Sequence, residues 1–216
     1  MAVDRSPKGL TRESVVRAAL DLVEEKNIGA LTIRAVAKQA GVSPMAVYNH
    51  VVDRDDLLVG MLETATAEMP FMADEADALD RLISRYLGVH DHLVDRTWML
   101  HVLIRGDLVA TNTFSLADAC IGDLLELGLP PADAIYVHGL AWHLMLGELL
   151  DRHPEPPKRT PTQRELALRA MDISIYPHYA HVIQVLDPTD APPPCQFPRS
   201  IAVTLAGVIG ATTKRP

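Results

Sequence analysis

Apolar residues return every three or four positions along most of the chain, the period of an amphipathic helix, and strand-like alternation is scarce. Val16, Ala19, Leu20 and Val23 share one face behind Thr11, a capping residue, and Asn27 and Gly29 close that first helix. A short helix is expected over 33–40, stopped by Gly41. Ser43 and Pro44 then reopen a helix as cap and first residue, running to about residue 50. Asp53 caps a longer helix in which Leu57, Leu58, Met61 and Leu62 form one stripe. Further helices are expected over 76–94, 97–110, 115–127 and 132–152, the last two separated by the stop signal Leu127-Gly128-Leu129-Pro130-Pro131. The four prolines of 153–161 mark a loop, and a helix follows at about 162–171. The five prolines of 187–198 mark another loop or disordered stretch. A final helix over 200–211 places Ala202, Ala206 and Gly210 four apart, a small-residue face that permits close helix contact. No tandem repeat is apparent, and the pattern predicts an all-α protein.

Composition narrows the class. Of 216 residues, 48% are apolar and 22% charged, enough apolar material for a sizeable core. With only Cys120 and Cys195, no disulfide framework is expected, and a reducing, cytoplasmic compartment fits best. The first twenty residues mix Asp4, Arg5, Lys8, Arg12 and Glu13, so no secretory leader is expected. The longest largely apolar segment, 134–150, is interrupted by His138, His143 and Glu148 and falls short of the roughly 20 residues of a membrane span. The net charge of −8 hides a split. Residues 1–54 hold eight cations and six acids, a net of +2, which leaves −10 on the remainder. That asymmetry suits an N-terminal module that meets phosphates, and it equally suits chance clustering on solvated helix faces.

The segment LTIRAVAKQAGVSPMAVYNHV, residues 31–51, carries the most specific chemistry. Ala37 is followed by Gly41 four residues later and by Val47 six after that. A helix-turn-helix needs a small residue where two helices cross and a glycine where the tight turn takes a positive φ. Val36, Val42 and Val47 supply the apolar pin. The second helix then projects its first residues into a DNA major groove while the first lies across the backbone. Ser43-Pro44 opening that helix, with Tyr48, Asn49, His50 and Arg54 beyond, strengthens the pattern.

These residues resemble the three-helix DNA-binding domain of the tetracycline-repressor (TetR) family of bacterial transcription regulators, over residues 10–58. GVSPMAVYNHVVDRDDLL is similar to the family signature G-V-x-x-x-x-[LV]-Y-x-H-[VF]-x-x-K-x-x-L-L, with Arg54 where the family usually has lysine. The substitution keeps the cation and adds a bidentate option. The resemblance implies an all-α fold with a helix-turn-helix domain over 1–54, a connecting fourth helix over 55–68 and a ligand-binding and dimerisation domain over 69–216. It also implies roles. Thr32 caps the second helix and offers its hydroxyl to a phosphate. Arg34 reaches a phosphate or a guanine edge. Pro44 and Met45 are placed for thymine methyls, and Ser43 and His50 for phosphates. Tyr48 suits a phosphate, or packs in the domain core. Asn49 reads a base or holds a sugar-phosphate oxygen. Arg54 anchors the backbone, with Arg5 and Lys8 adding electrostatic contacts.

From residue 69 on, the helical pattern resembles the family's C-terminal domain. This implies a homodimer built through 132–152 and 200–211, with a small, hydrophobic effector molecule in a pocket. Trp98, His101, Phe114, Trp142 and His143 are the pocket residues expected from the segments the family uses. His90-x-His92 and His178-x₂-His181 could be read as metal ligands, but i and i+2 do not face the same side of a helix and no Cys-x₂-Cys or His-Glu-x-x-His motif accompanies either pair, so no metal and no cofactor are expected. A helical-bundle enzyme is the competing class, but no phosphate loop, nucleophile elbow or His-Glu-x-x-His motif supports it. A small-molecule-binding protein with a vestigial DNA domain is the third, against which the intact cap, turn and cationic positions speak. The expected function is a ligand-responsive repressor that an effector releases from near-palindromic double-stranded operator DNA.

Overall fold

The computed structural model describes residues 9–69, 73–154, 158–185 and 196–213. Arg5, Lys8, Cys195 and most of the proline-rich 187–198 stretch lie outside them. Among the described residues there are α-helices and two short 3-10 turns and no strand.

The N-terminal unit is built from α1 (Arg12–Lys26), α2 (Ile33–Gln39) and α3 (Pro44–Tyr48), with α4 (Arg54–Thr66) packed back on α1. Each start has a side-chain cap: Thr11 in a reciprocal box with Ser14, then Thr32, Ser43 and Asp53. Val15, Ala19, Val36, Val47 and Leu57 are fully buried between them. Gly41 ends α2 at φ +68°, with the Val42 N–H donating to Ala37 O and the Gly41 N–H to Lys38 O. This paired closure, a Schellman motif, is what a glycine one residue past the helix provides. Arg12 ties the unit together. Its Nη1 and Nη2 donate to both carboxylate oxygens of Asp56 at 2.9 and 2.6 Å, and Nη1 also donates to His50 O at 3.0 Å. The guanidinium hydrogen bond holds the Asp56 carboxyl below its ordinary pKa. The link therefore persists at neutral pH and is lost only as acid protonates Asp56.

Gly60 fixes how closely α1 and α4 approach. A Cβ there would fall 2.9 Å from Val16 Cγ2. Gly60→Ala is therefore expected to destabilise the protein by about 1–2 kcal/mol, because overpacking outweighs the roughly 1 kcal/mol that alanine gains over glycine within a helix. A urea midpoint equal to or above wild type would show that the two helices separate freely.

The larger unit is a bundle of α5 (Ala78–Val94), α6 (Trp98–Leu103), α7 (Thr113–Glu126), α8 (Pro131–Arg152) and, after two peripheral helices, α11 (Phe197–Thr212). α5 packs on α7, α8 and α11, and α8 also packs on α7 and α11. Tyr86, Leu82, Met99, Leu124, Met145 and Phe197 form its core. Buried Asp123 accepts from Arg81 Nε at 2.8 Å and Arg85 Nε at 2.9 Å, so its charge is paired across α5 and α7. The His90 ring stacks on Phe197 at 4.3 Å and places Nε2 3.1 Å from Glu148, joining α5, α8 and α11.

Four parts of the chain differ from the sequence expectation. The helix expected over 97–110 ends at Leu103, where Gly106 at φ +72° turns the chain and Arg105 leaves to bond Asp55 and Asp107. The recognition helix stops at Tyr48 rather than near residue 50, and the last helix begins at Phe197, three residues earlier than expected. The stretch after 171 forms a 3-10 turn at Ile173–Ile175 and then α10 (Pro177–Val185), where no helix was expected. Neither α9 (Gln163–Ala170) nor any described side chain of α10 is buried, so no core stripe signalled this region.

Candidate DNA-binding surface and effector cavity

The short helix α3 stands on Val47, which is wholly buried, and turns its other side chains outward. Met45 is 71% exposed and Tyr48 50%; Pro44 and Asn49 are exposed as well. The Ser43 and Thr32 hydroxyl oxygens accept from the backbone N–H of Ala46 at 3.2 Å and of Ala35 at 3.1 Å. Each hydroxyl proton therefore remains free to donate outward. Arg34 is exposed beside Thr32 on α2. These exposed residues, on α2, at the turn and on α3, make up the rim of the helix-turn-helix. His50 is half-buried, and its carbonyl is the Arg12 acceptor, so part of its role is to hold the end of α3. Arg54 also has an internal bond: Nε donates to Leu31 O at 3.1 Å, tying the start of α4 to the residue before the Thr32 cap. Lys38, exposed in the last turn of α2, and Val52, 81% exposed before α4, extend the rim beyond the expected residues.

A cavity of about 260 Å³ opens between α4, α6, α7 and α8. Phe114 and Trp142 line it, with Met69, Met99, Leu103, Val109, Leu116 and Ala117, and with Thr66, Thr113 and His138 as its polar side chains. Its size and largely apolar lining suit a small organic molecule. The other three expected pocket residues lie elsewhere. Trp98 and His101 line a separate polar cleft of about 510 Å³, formed with Glu24, Asn27, Asp95 and His153 where the two units meet. His143 is exposed on the outer side of α8, next to Trp142 in sequence but about 100° around the helix.

Sequence reasoning passed over His138, one turn before Trp142 on the same face. Its Nδ1 lies 2.8 Å from the buried Tyr86 hydroxyl, which is also 3.2 Å from His138 O. Burial lowers the His138 pKa, which keeps the ring neutral.

Between cavity and rim runs a chain of polar contacts. Leu103 and Val109 are cavity wall; between them Arg105 clasps Asp55 through two hydrogen bonds, of 2.8 and 2.9 Å. Asp55 adjoins Arg54, whose bond to Leu31 O reaches the start of α2. A second link joins α4 to the same wall, with Thr111 donating to the Glu63 carboxylate and Asn112 Nδ2 to Glu63 O at 3.1 Å. The Thr111 hydrogen bond lowers the Glu63 pKa.

Two family models match. One, described as bacterial regulatory proteins of the tetR family, covers residues 15–61. The other, the tetracyclin repressor-like C-terminal domain, covers 77–208. The tetracycline repressor proteins of class D from Escherichia coli and class H from Photobacterium damsela subsp. piscicida are each 25% identical over 187 residues. Each alignment spans 76% of this chain and 80% of the relative. ActR of Streptomyces coelicolor, solved with actinorhodin, superposes with a TM-score of 0.76 at 18% identity over 97% of this chain and 99% of its own. A TetR variant of Acinetobacter baumannii AYE bound to minocycline gives 0.64 at 19% identity over 94% and 99%. At those identities the structures share the fold. The chain belongs to the TetR family of bacterial transcription regulators, with a tetracycline-repressor-like domain behind its helix-turn-helix.

Proposed function

We propose that the protein is a homodimeric repressor that holds a near-palindromic operator through residues 1–54 and lets go when a small, largely apolar molecule fills the cavity of the larger domain. The observation that carries this reading is the Arg105–Asp55 clasp, which makes one side of the cavity wall part of the support of the helix-turn-helix. A compound that displaces the 104–113 segment would pull on α4 at Asp55 and Glu63. Such a compound shifts the equilibrium only by binding the displaced state more tightly. The complexes of related fold with actinorhodin and with minocycline support a small-molecule effector. Thr32, Arg34, Ser43, Pro44, Met45, Tyr48, Asn49, His50 and Arg54 are the proposed DNA contacts, and Phe114 and Trp142 the retained pocket contacts.

Dimerisation through α8 and α11 is supported by what these helices leave uncovered. Ile135, Tyr136 and Val203 are each more than 60% exposed. A Cβ at Gly147, Gly207 or Gly210 would meet nothing within 4 Å, so the backbones there are open to close approach by a second copy. Two recognition helices would then enter successive major grooves. No helix among the described residues is long and apolar enough to cross a membrane. The reading places the protein in the cytoplasm with its DNA, acting by binding rather than catalysis.

Selection of bound duplexes from a random pool at near-physiological salt tests this directly. Recovery of one near-palindromic site occupied by two subunits is expected. Unrelated sequences, held weakly and lost as salt rises, would reduce the interaction to phosphate attraction and refute the reading.

A further inference from the structure

The polar cleft between the two units is bounded by three helix ends. Glu24 lies in the last turn of α1 and Asn27 follows it, Asp95 caps the end of α5, and His153 caps the end of α8. Each end carries the negative pole of its helix, so three such poles border one space. The side chains add to that field. Glu24 and Asp95 are exposed, and neither forms an ion pair or a hydrogen bond with its side chain among the described residues. No lysine or arginine among the described residues lines the cleft, and Arg96 and Arg152 pair with Glu68 and Glu148 instead. No three His, Asp or Glu side chains among the described residues are grouped to hold a metal ion. The occupant that suits such a field is an organic cation.

Donors are present as well. Trp98 is 6% exposed, and its Nε1–H has no partner among the described residues and is not sealed within the protein. Its side chain lines the cleft, so the unspent proton is open to an occupant. Asn27 Oδ1 accepts from the Gly29 N–H at 3.0 Å, which leaves its Nδ2 unspent. The Thr97 hydroxyl forms no cap at the start of α6 and has no partner among the described residues. His153 Nε2 is sealed without a partner, a cost that a small turn of the ring toward an occupant would relieve.

We propose that this cleft is a second ligand site, separate from the apolar cavity, and that it takes amino sugars. The ammonium groups meet Glu24 and Asp95 at the negative helix ends, and the hydroxyl oxygens accept from Trp98, Asn27 and Thr97. A plain polyol satisfies the donors but leaves the two carboxylates to water; a simple alkylamine does the reverse. Glu24 and Asn27 belong to the N-terminal unit and Asp95 and Trp98 to the larger one, so an occupant bridges the two.

Calorimetric titration of the full-length protein at neutral pH with the β-1,4-linked disaccharide of glucosamine tests the proposal, with cellobiose as its uncharged counterpart. Wild type is expected to bind the amino sugar about tenfold more tightly than cellobiose. Glu24→Gln combined with Asp95→Asn is expected to bring the two sugars within about twofold of each other. Trp98→Phe keeps an aromatic ring without the N–H and is expected to weaken both sugars about fivefold, leaving the preference intact. The acid variant changes two exposed residues and carries the test if Trp98→Phe does not fold. Equal binding of the two sugars to wild type, failure of both to bind, or unchanged affinities in a folded Trp98→Phe overturns the proposal. So does a preference that survives the acid variant, which would reduce it to diffuse attraction by the net charge of −8.

Discussion

Replacing Tyr48 and Asn49 together by alanine is expected to lower affinity for the selected operator at least about 100-fold while leaving the unfolding midpoint near wild type. Neither side chain has a hydrogen-bond partner among the described residues, and both face outward from a helix that Val47 anchors. Their loss removes contacts to DNA and little within the protein. Alanine also favours helix over either residue, so the short α3 is not weakened by propensity. A lost base contact at Asn49 is worth about 1–3 kcal/mol and a lost hydrogen bond to a charged phosphate at Tyr48 about 1.5–3 kcal/mol, which together give the stated factor. Arg34→Ala provides the contrast. If Arg34 meets a phosphate, affinity falls uniformly across sequences and the salt slope drops by about one. A double variant that keeps full operator affinity in a filter-binding or anisotropy assay would remove α3 from the recognition surface.

Arg105→Ala is expected to separate effector binding from DNA release. The wild-type protein, titrated with a compound that releases it from the operator, should lose DNA affinity by a factor in the range of about 5–150, the usual span of allosteric coupling. In the variant the same compound should bind with near-unchanged affinity and shift DNA binding by less than about threefold. The reason lies in the two attachments of the cavity wall to α4. Arg105 holds Asp55 at the start of the helix, beside Arg54 and its bond to Leu31 O, while Thr111 and Asn112 hold Glu63 two turns later. Removing the first leaves the wall fixed only to the far part of the helix. Asp55→Asn in the Arg105→Ala background should add nothing further, because both changes break one contact. Full release of DNA by Arg105→Ala on effector addition would show that the signal travels by another route.

The two halves of the molecule were unequally legible, for a physical reason. The helix-turn-helix is written in neighbours: Thr32 and Ser43 cap, Ala37 and Val47 cross, and Gly41 turns, all within sixteen residues. Each needs only its local backbone to be recognised. The cavity is written in the packing of four helices. The α6 sequence WMLHVL buries Trp98, Met99, Leu100 and Val102, so it is apolar nearly all round and its periodicity does not say which side faces a ligand. Trp98 and His101, three apart, went to the polar cleft together while Met99 and Leu103 went to the cavity. On α8, Trp142 and His143 cannot share a face, whereas His138 and Trp142 must. The four-residue spacing was the available signal for His138.

The 2.9 Å separation between Val16 Cγ2 and the place a Cβ would occupy at Gly60 has a mechanical consequence. With Arg12 bridging to Asp56, it leaves α1 and α4 no slack, so α4 cannot tilt without carrying the whole N-terminal unit. A helix of 13 residues is about 20 Å long, and a tilt of about 5° displaces its end by nearly 2 Å. In a pair of subunits the two displacements would add, against a groove-to-groove repeat of about 34 Å. Such a pair would work as a caliper whose jaws must match a fixed span of duplex. A base pair inserted at the centre of its site, with every contacted letter intact, would then loosen its grip as an inducing molecule does.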